Sequence, residues 1–218
     1  MLKAILFDFD GTLANTNPLI IRSFTETFKE LLPNQSFTEN ELLDCIGPTL
    51  LETGKKYHAE KPEVLVETYR RYCWKYHDEM ITIYPGIEEM LIKLKAMDLK
   101  LVIVTSKELD TATRGLEVTR ILKYFDWIVS ADDVINPKPH QEPIEKVLNY
   151  YGFKPEECMM VGDNAHDILC AKAANVTSIA VGWALRGADY LKKFSPNYII
   201  EEANDLVKIA NLKLTNDK

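Results

Sequence analysis

Hydrophobic residues gather in short unbroken runs at 4–7, 101–104, 127–129, 158–161, 178–181 and 198–200. Apolar runs of this length, rich in β-branched residues, predict strands buried on both faces, as in a parallel sheet. From residue 18 to 80 the spacing changes. Asn17 and Pro18 open a predicted helix to about Leu32, with proline in a favoured first-turn position. Thr38 and Glu41 form a capping box for a short helix to about Cys45. A third helix follows Gly47 and Pro48 and reaches about Tyr57. A fourth runs from Pro62 to about Met80, with Leu65, Tyr69, Tyr72, Tyr76 and Met80 at helical spacing and Trp74 placed among core aromatics. Beyond Tyr84, Pro85 and Gly86, predicted helices at 87–97, 109–119, 143–151 and 165–174 alternate with the later strands. Strand and helix alternating in this way predict an α/β, Rossmann-like, doubly wound parallel sheet. The expected organisation is a core of residues 1–15 and 83–218, split by an inserted all-α unit at 16–82. An insert leaving the core at that point can cover the crevice beyond the strand ends.

Composition narrows the functional classes. The chain has 218 residues, 26 basic against 33 acidic, and a net charge of −7. There is no basic stripe, so nucleic acid is not an expected partner. Cys45, Cys73, Cys158 and Cys170 lack paired spacing, which predicts reduced buried thiols and no zinc site. No apolar run reaches membrane-spanning length and no leader precedes the first strand. The expectation is a cytoplasmic protein with no membrane partner, monomeric or weakly dimeric.

Four strand ends carry unusual residues. The first run stops at Asp8, Asp10, Gly11 and Thr12; the second stops at Thr105 and Ser106. Lys138 follows the third, and Gly162, Asp163 and Asp167 follow the fourth. Loops at the carboxyl ends of parallel strands share one edge of the sheet. Two carboxylates ~4 Å apart repel by on the order of 4 kcal/mol at an effective dielectric of 20, so this cluster needs protons or a cation. Oxygen ligands without histidine or cysteine favour Mg²⁺. Thr105 and Ser106 offer donors to phosphate oxygens, and Lys138 offers a point charge. The set suits phosphoryl transfer to an aspartate.

This constellation resembles the haloacid dehalogenase-like superfamily along essentially the whole chain. Its Asp-x-Asp-Gly-Thr motif is matched by Asp8 to Thr12, its Thr/Ser motif by Thr105, its lysine motif by Lys138, and its Gly-Asp-x-x-x-Asp motif by Gly162 to Asp167. The helical insert looks like the family's C1 cap. The resemblance implies that Asp8 attacks phosphorus to form an aspartyl-phosphate. It implies that Asp10 protonates the leaving group and then deprotonates water. Mg²⁺ would be held by Asp8, the Asp10 carbonyl and Asp163, with Asp167 ligating through water or orienting Lys138. Substrate would be bound by Gly11, Thr12, Ser106, Thr105 and Lys138, and from the cap by Gly47 and Pro48.

Within the superfamily, the residues Asn15, Thr16 and Asn17, the stretch 46–50 and the pair Asp133 and Asn136 lean toward bacterial pyrophosphatases, with phosphoglycolate phosphatases as the alternative. The presence of Asp10 argues against a dehalogenase. A catalytically silent binding protein of the same fold and a β-phosphoglucomutase-like mutase stay open as other classes. Lys55, Lys56, Arg70, Arg71 and Lys75 read as solvated helix faces, one of which reaches substrate if the cap closes. His166, inside the acidic motif, reads as a surface residue or part of the crevice mouth.

Overall fold

The structure, a computed structural model, describes residues 1–215. The expected core segment 83–218 therefore ends three residues outside the described residues. Strand β1 (Ala4–Phe7) is followed by a two-residue strand β2 (Ala14–Asn15) and helix α1 (Asn17–Leu31). Helices α2 (Glu39–Leu43), α3 (Leu50–Tyr57) and α4 (Pro62–Tyr76) come next, then β3 (Thr82–Ile83). The chain continues through α5 (Ile87–Ala96), β4 (Lys100–Val104), α6 (Leu109–Val118), β5 (Trp127–Val129) and α7 (Glu142–Tyr151). It closes with β6 (Cys158–Gly162), α8 (Ala165–Ala173), β7 (Thr177–Val181), α9 (Ala188–Lys192), β8 (Tyr198–Ile200) and α10 (Ala203–Thr215).

Six strands pair in the order β5-β4-β1-β6-β7-β8, and every pair is parallel. Successive residues of a strand face opposite sides, so each strand feeds two cores. Ile5, Phe7, Leu101, Ile103 and Val161 pack with Met90 and Leu94 of α5 and Leu206 of α10. Leu6, Val102, Val104 and Met160 pack with Ile144 and Val147 of α7 and Ala171 of α8. Burial on both sides is why these strands read as continuous apolar runs. After β1 the chain places β4 and β5 on one side, then returns to place β6, β7 and β8 on the other. The strand order reverses at β1, and α/β sheets bind ligands at such a switch point.

Between β2 and β3 lie only helices. They pack through aromatic contacts, with Phe24 and Tyr69 ring centroids 4.3 Å apart and Phe28 stacked on Phe37 at 4.2 Å. The antiparallel β2–β3 pair, Ala14 against Ile83 and Asn15 against Thr82, clamps the two crossings of the chain together.

Several expectations need correction. Helix α4 ends at Tyr76, not Met80, where His77 turns inward and Asp78 pairs with Arg114 of α6. Trp74 is 47% exposed rather than core. Its position on α4 falls off the stripe of Leu65, Tyr69 and Cys73. Tyr72 reaches out to Glu30, its hydroxyl donating at 2.7 Å. The β2–β3 ribbon, α9 and α10 were not expected at all. In α10, however, Leu206, Val207 and Ala210 carry the ordinary buried helical spacing. All four cysteines are buried and free. Among the described residues, no helix is long and apolar enough to cross a membrane.

Candidate active site

The site grows from the end of β1. Asp8 continues the strand's pairing, its N–H donating to the Val161 carbonyl at 2.9 Å, so its side chain is delivered at the switch point between β4 and β6. The chain then turns sharply: the Gly11 N–H donates to Ala14 O at 2.8 Å, and Leu13 and Ala14 both donate to Phe9 O. Gly11 has φ +75°, and a Cβ there would lie 2.2 Å from Asp163 Oδ2. Glycine is thus required both for the left-handed backbone and for the space that Asp163 fills. Gly11→Ala is expected to cost about 1–3 kcal/mol for the strained backbone and to displace Asp163. Urea denaturation in EDTA, where metal binding cannot obscure the loss, checks this; unchanged stability would refute it.

Asp8, Asp163 and Asp167 are all buried, and one oxygen from each falls within 4.8 Å of the others. Lys138 lies among them, 4% exposed. Its ammonium donates to Asp8 Oδ1 at 2.8 Å, Asp167 Oδ1 at 2.6 Å and Val104 O at 3.0 Å, which uses all three N–H bonds. Asp167 is held in turn from below, its Oδ2 accepting from the Asn164 N–H at 3.0 Å in the capping box of α8.

One ammonium does not balance three buried carboxylates. Burial pushes Asp8 up to about 7, with Asp167 and Asp10 adding to the rise and Lys138 opposing it. Asp163 is raised well above the usual carboxylate range by burial and by Asp8 and Asp167. Burial alone would lower Lys138, but Asp167 and Asp8 outweigh it and the net shift is upward. Three all-oxygen groups with surplus negative charge, around a cradle kept open by Gly11, fit a hard divalent cation.

The next strand end adds Thr105, 5% exposed, whose hydroxyl accepts from the Lys107 N–H at 3.1 Å. The Ser106 hydroxyl is buried and has no hydrogen-bond partner among the described residues. Asp10 stands apart from the carboxylate trio. Its Oδ1 accepts from Lys107 Nζ at 2.7 Å, which pairs the two charges at the crevice wall. Lys107 was not singled out from the sequence, because a lysine opening a loop reads as solvated. The signal was its place two residues beyond Thr105.

Asp8, Asp10, Thr105, Ser106, Lys138, Asp163 and Asp167 all line one crevice, together with Gly47 and Pro48 from the helical segment. Gly11 and Thr12 do not line it. The Gly11 amide is spent on the turn, and the Thr12 hydroxyl donates to Asp163 Oδ1 at 3.2 Å while its carbonyl accepts from Trp183 Nε1 at 3.1 Å. Thr12 therefore braces Asp163 instead of facing the open space. His166 also lines the crevice.

The helical segment forms the roof. Ile20, Ile46, Leu50, Tyr69 and Cys73 give it an apolar wall. Besides the Asp78–Arg114 pair, three polar contacts tie it down. Arg70 donates to Glu108, with Nε to Oε2 at 2.8 Å; Arg186 pairs with Asp44; and Asn164 Nδ2 donates to Ile46 O at 3.1 Å. Gly47, with φ +112°, sits so close to Asn164 that a Cβ would fall 2.8 Å from its Nδ2. Arg70 is solvent-exposed, as read from the sequence, and also lines the mouth of the crevice, while Arg71 pairs with Glu30 at 2.6 Å on the outside.

A doubly wound sheet with an acidic trio and a lysine at its switch point, roofed by an inserted helical segment, defines a hydrolase fold of known type. The chain belongs to the haloacid dehalogenase-like hydrolases, whose family model matches residues 5–181. It is 43% identical to pyrophosphatase PpaX of Halalkalibacterium halodurans over 97% of this chain and 98% of that protein. It is 41% identical to pyrophosphatase PpaX of Oceanobacillus iheyensis over 95% of this chain and 96% of that protein. Among solved structures, a haloacid dehalogenase-like family hydrolase from Streptococcus pneumoniae superposes with a TM-score of 0.83 at 26% identity, covering 95% of this chain and 98% of that one.

Proposed function

We propose that this enzyme hydrolyses inorganic pyrophosphate with Mg²⁺ as cofactor, through an aspartyl-phosphate on Asp8. The observation that carries the substrate is the likeness to pyrophosphatases at 43% identity along nearly the whole of both chains. The buried geometry around Asp8 supports the mechanism.

Asp8, held by Lys138 and facing the crevice, forms a bond from one carboxylate oxygen to the nearer phosphorus. The bond from that phosphorus to the bridging oxygen breaks, and its electron pair stays on the bridging oxygen. Asp10 supplies the proton that this oxygen takes up, and inorganic phosphate departs. In the second step a water oxygen attacks the phosphorus of the aspartyl-phosphate while Asp10 accepts a water proton. The Asp8–phosphorus bond then breaks and the carboxylate is restored. Thr105 and the Ser106 N–H present donors to the transferring phosphoryl oxygens, while Lys138, whose N–H bonds are taken up, contributes its fixed positive charge, a mainly electrostatic effect. When bound by Asp8, Asp163 and the Asp10 carbonyl, Mg²⁺ supplies positive charge against the phosphoryl oxygens. Asp167 works behind this set by orienting Lys138.

Residues 16–82 act as the cap, closed on the core by the contacts of Arg70, Arg186 and Asn164. Closure shields the aspartyl-phosphate from bulk water, and opening releases product. Gly47 and Pro48 bring the cap loop to the crevice, where a compact anion needs little apolar contact.

Phosphate release from pyrophosphate, 2-phosphoglycolate and p-nitrophenyl phosphate, with Mg²⁺ and with EDTA, tests the reading. The expected result is a kcat/KM for pyrophosphate at least about tenfold above both esters, a difference of ~1.4 kcal/mol in transition-state binding, and no turnover in EDTA. A preference for 2-phosphoglycolate would overturn the substrate and leave the roles of Asp8 and Asp10 standing.

A further inference from the structure

The crevice holds two ammonium groups with different commitments. Lys138 spends its three N–H bonds on Asp8, Asp167 and Val104 O. Lys107 donates only to Asp10 among the described residues, at 2.7 Å, and its side chain is 11% exposed at the crevice wall. Two of its three N–H bonds are therefore unspent. Beside it in the chain, the buried Ser106 hydroxyl also lacks a partner. Arg70, the third cation lining the crevice, is taken up by both oxygens of Glu108. The formal charges agree. Asp8, Asp10, Asp163 and Asp167 carry four negative charges; Lys138 and Lys107 carry two positive ones, and a divalent cation brings the sum to zero. Of these positive charges, Lys138 and the cation belong to the Asp8 end, where the transferring phosphoryl group sits. Only Lys107 stands beyond it, next to Asp10. On the reading of Asp10 as proton donor, whatever lies within hydrogen-bond distance of both Asp10 and the crevice is next to the departing group.

We propose that Lys107, with the Ser106 hydroxyl beside it, forms an anion subsite that holds the departing phosphoryl group and so selects substrates whose leaving group is itself a phosphate. This deepens the pyrophosphatase reading and rests on it. Pyrophosphate bound there places its nearer phosphorus at Asp8 and its farther phosphoryl oxygens on the free N–H bonds of Lys107. An ester whose leaving group carries no anionic oxygens beyond the scissile one, such as p-nitrophenyl phosphate, makes no comparable use of them. The Arg70–Glu108 pair lines the same crevice and stands half-exposed at its mouth.

The test uses Lys107→Gln, which keeps a donor for Asp10 but removes the charge, and Lys107→Arg, which keeps the charge. A charge-assisted contact of this kind is worth roughly 10- to 100-fold in binding. In Lys107→Gln, kcat/KM for pyrophosphate is expected to fall by about that factor relative to kcat/KM for p-nitrophenyl phosphate, and Lys107→Arg is expected to keep most of the ratio. An equal fall for both substrates would show that Lys107 acts only through Asp10, and would overturn the proposal, as would no fall at all. Calorimetry in an Asp8→Asn background with Mg²⁺ separates this from the substrate assignment. Adding Lys107→Gln there is expected to weaken pyrophosphate by roughly tenfold more than inorganic phosphate. If the wild-type enzyme does not prefer pyrophosphate in turnover, the pyrophosphatase reading fails. Unequal weakening in calorimetry then still supports the subsite, and equal weakening rejects it.

Discussion

Replacing Lys138 with methionine is expected to cost about 3–5 kcal/mol of stability in EDTA, the range for removing one partner of a buried charge cluster. The reason lies in what the lysine leaves behind. Its ammonium is the shared partner of Asp8 and Asp167, 4% exposed and with every N–H bond used. Methionine is close in length and fills the space, so the loss reads the uncompensated carboxylates and the Val104 carbonyl rather than a cavity. Mg²⁺ is expected to return part of the stability by supplying the missing positive charge. Adding Asp8→Asn is also expected to return part of it, because one of the stranded charges is gone. The double-mutant cycle between Asp8 and Lys138, followed by urea denaturation, should show a coupling within the 0.5–3 kcal/mol seen for contacting residues. A loss below about 1 kcal/mol, the level of a surface ion pair, would mean that the cluster is not charged as described. Activity should fall as well, by on the order of 10²–10³-fold, as for loss of one preorganised electrostatic group, because Asp8 loses the partner that orients it and the site loses a fixed positive charge.

Asp8→Asn separates chemistry from stability in the opposite direction. Turnover of pyrophosphate should fall by ~10⁴-fold or more, since on the proposed mechanism the carboxylate nucleophile is replaced by a weakly nucleophilic amide. Yet the variant should be more stable than the wild type at pH 8 in EDTA. Asp8 has a folded-state pKa of about 7 against an ordinary value of 3.8, raised first by burial. The folded protein therefore keeps a proton that the unfolded chain releases. Stability linked to that proton is fully present below pH ~4 and is lost as pH rises through about 7. Asp163, also raised by burial, pulls the same way. Wild-type stability in EDTA should thus decline between pH 5 and about 8, and the slope should be shallower in Asp8→Asn, which can still accept the Lys138 hydrogen bond. With Mg²⁺ at pH 8 the order should reverse, because the wild type binds the cation with a full carboxylate set. Equal pH slopes for the two proteins would contradict this account.

The cluster explains why a stable fold tolerates so much buried charge. The apolar runs of β1, β4 and β6 bring Asp8, Thr105 and Asp163 to one edge regardless of the repulsion there, because the sheet is stabilised by burial on both faces. On the proposed function, a bound cation would lower that cost. The apolar roof of Ile20, Ile46, Tyr69 and Cys73 lowers the local dielectric, which strengthens both the repulsion and the eventual attraction.

Much of this was legible before any coordinate. Runs buried on two faces read directly as parallel strands, and their abrupt ends at Asp8, Thr105 and Asp163 marked the crevice. The capping box of Thr38 and Glu41 formed as its local chemistry requires, with the Glu41 carboxylate accepting from the Thr38 N–H at 2.8 Å. These are features in which the residues that determine the structure lie within a few positions of one another. The two-residue strands β2 and β3 were not legible, since each is a strand only because the other lies beside it across 67 positions, from Asn15 to its partner Thr82. Helix α10 carries an ordinary apolar helical spacing in Leu206, Val207 and Ala210, a local signal that the sequence does contain.

The sequence by itself determined the fold class, the strand ends that meet and the residue types gathered there, because strand burial and loop placement follow from local pattern and the rules of parallel sheets. Tertiary structure alone decided which group each polar side chain faces. It turned Thr12 to Asp163 and away from the crevice, set Lys107 on Asp10, joined Arg70 to Glu108, and left Trp74 outside the core. Each of those outcomes depends on a distance between segments far apart in the chain. A lysine or threonine in a loop has the same local signature whether its partner is water or a buried carboxylate.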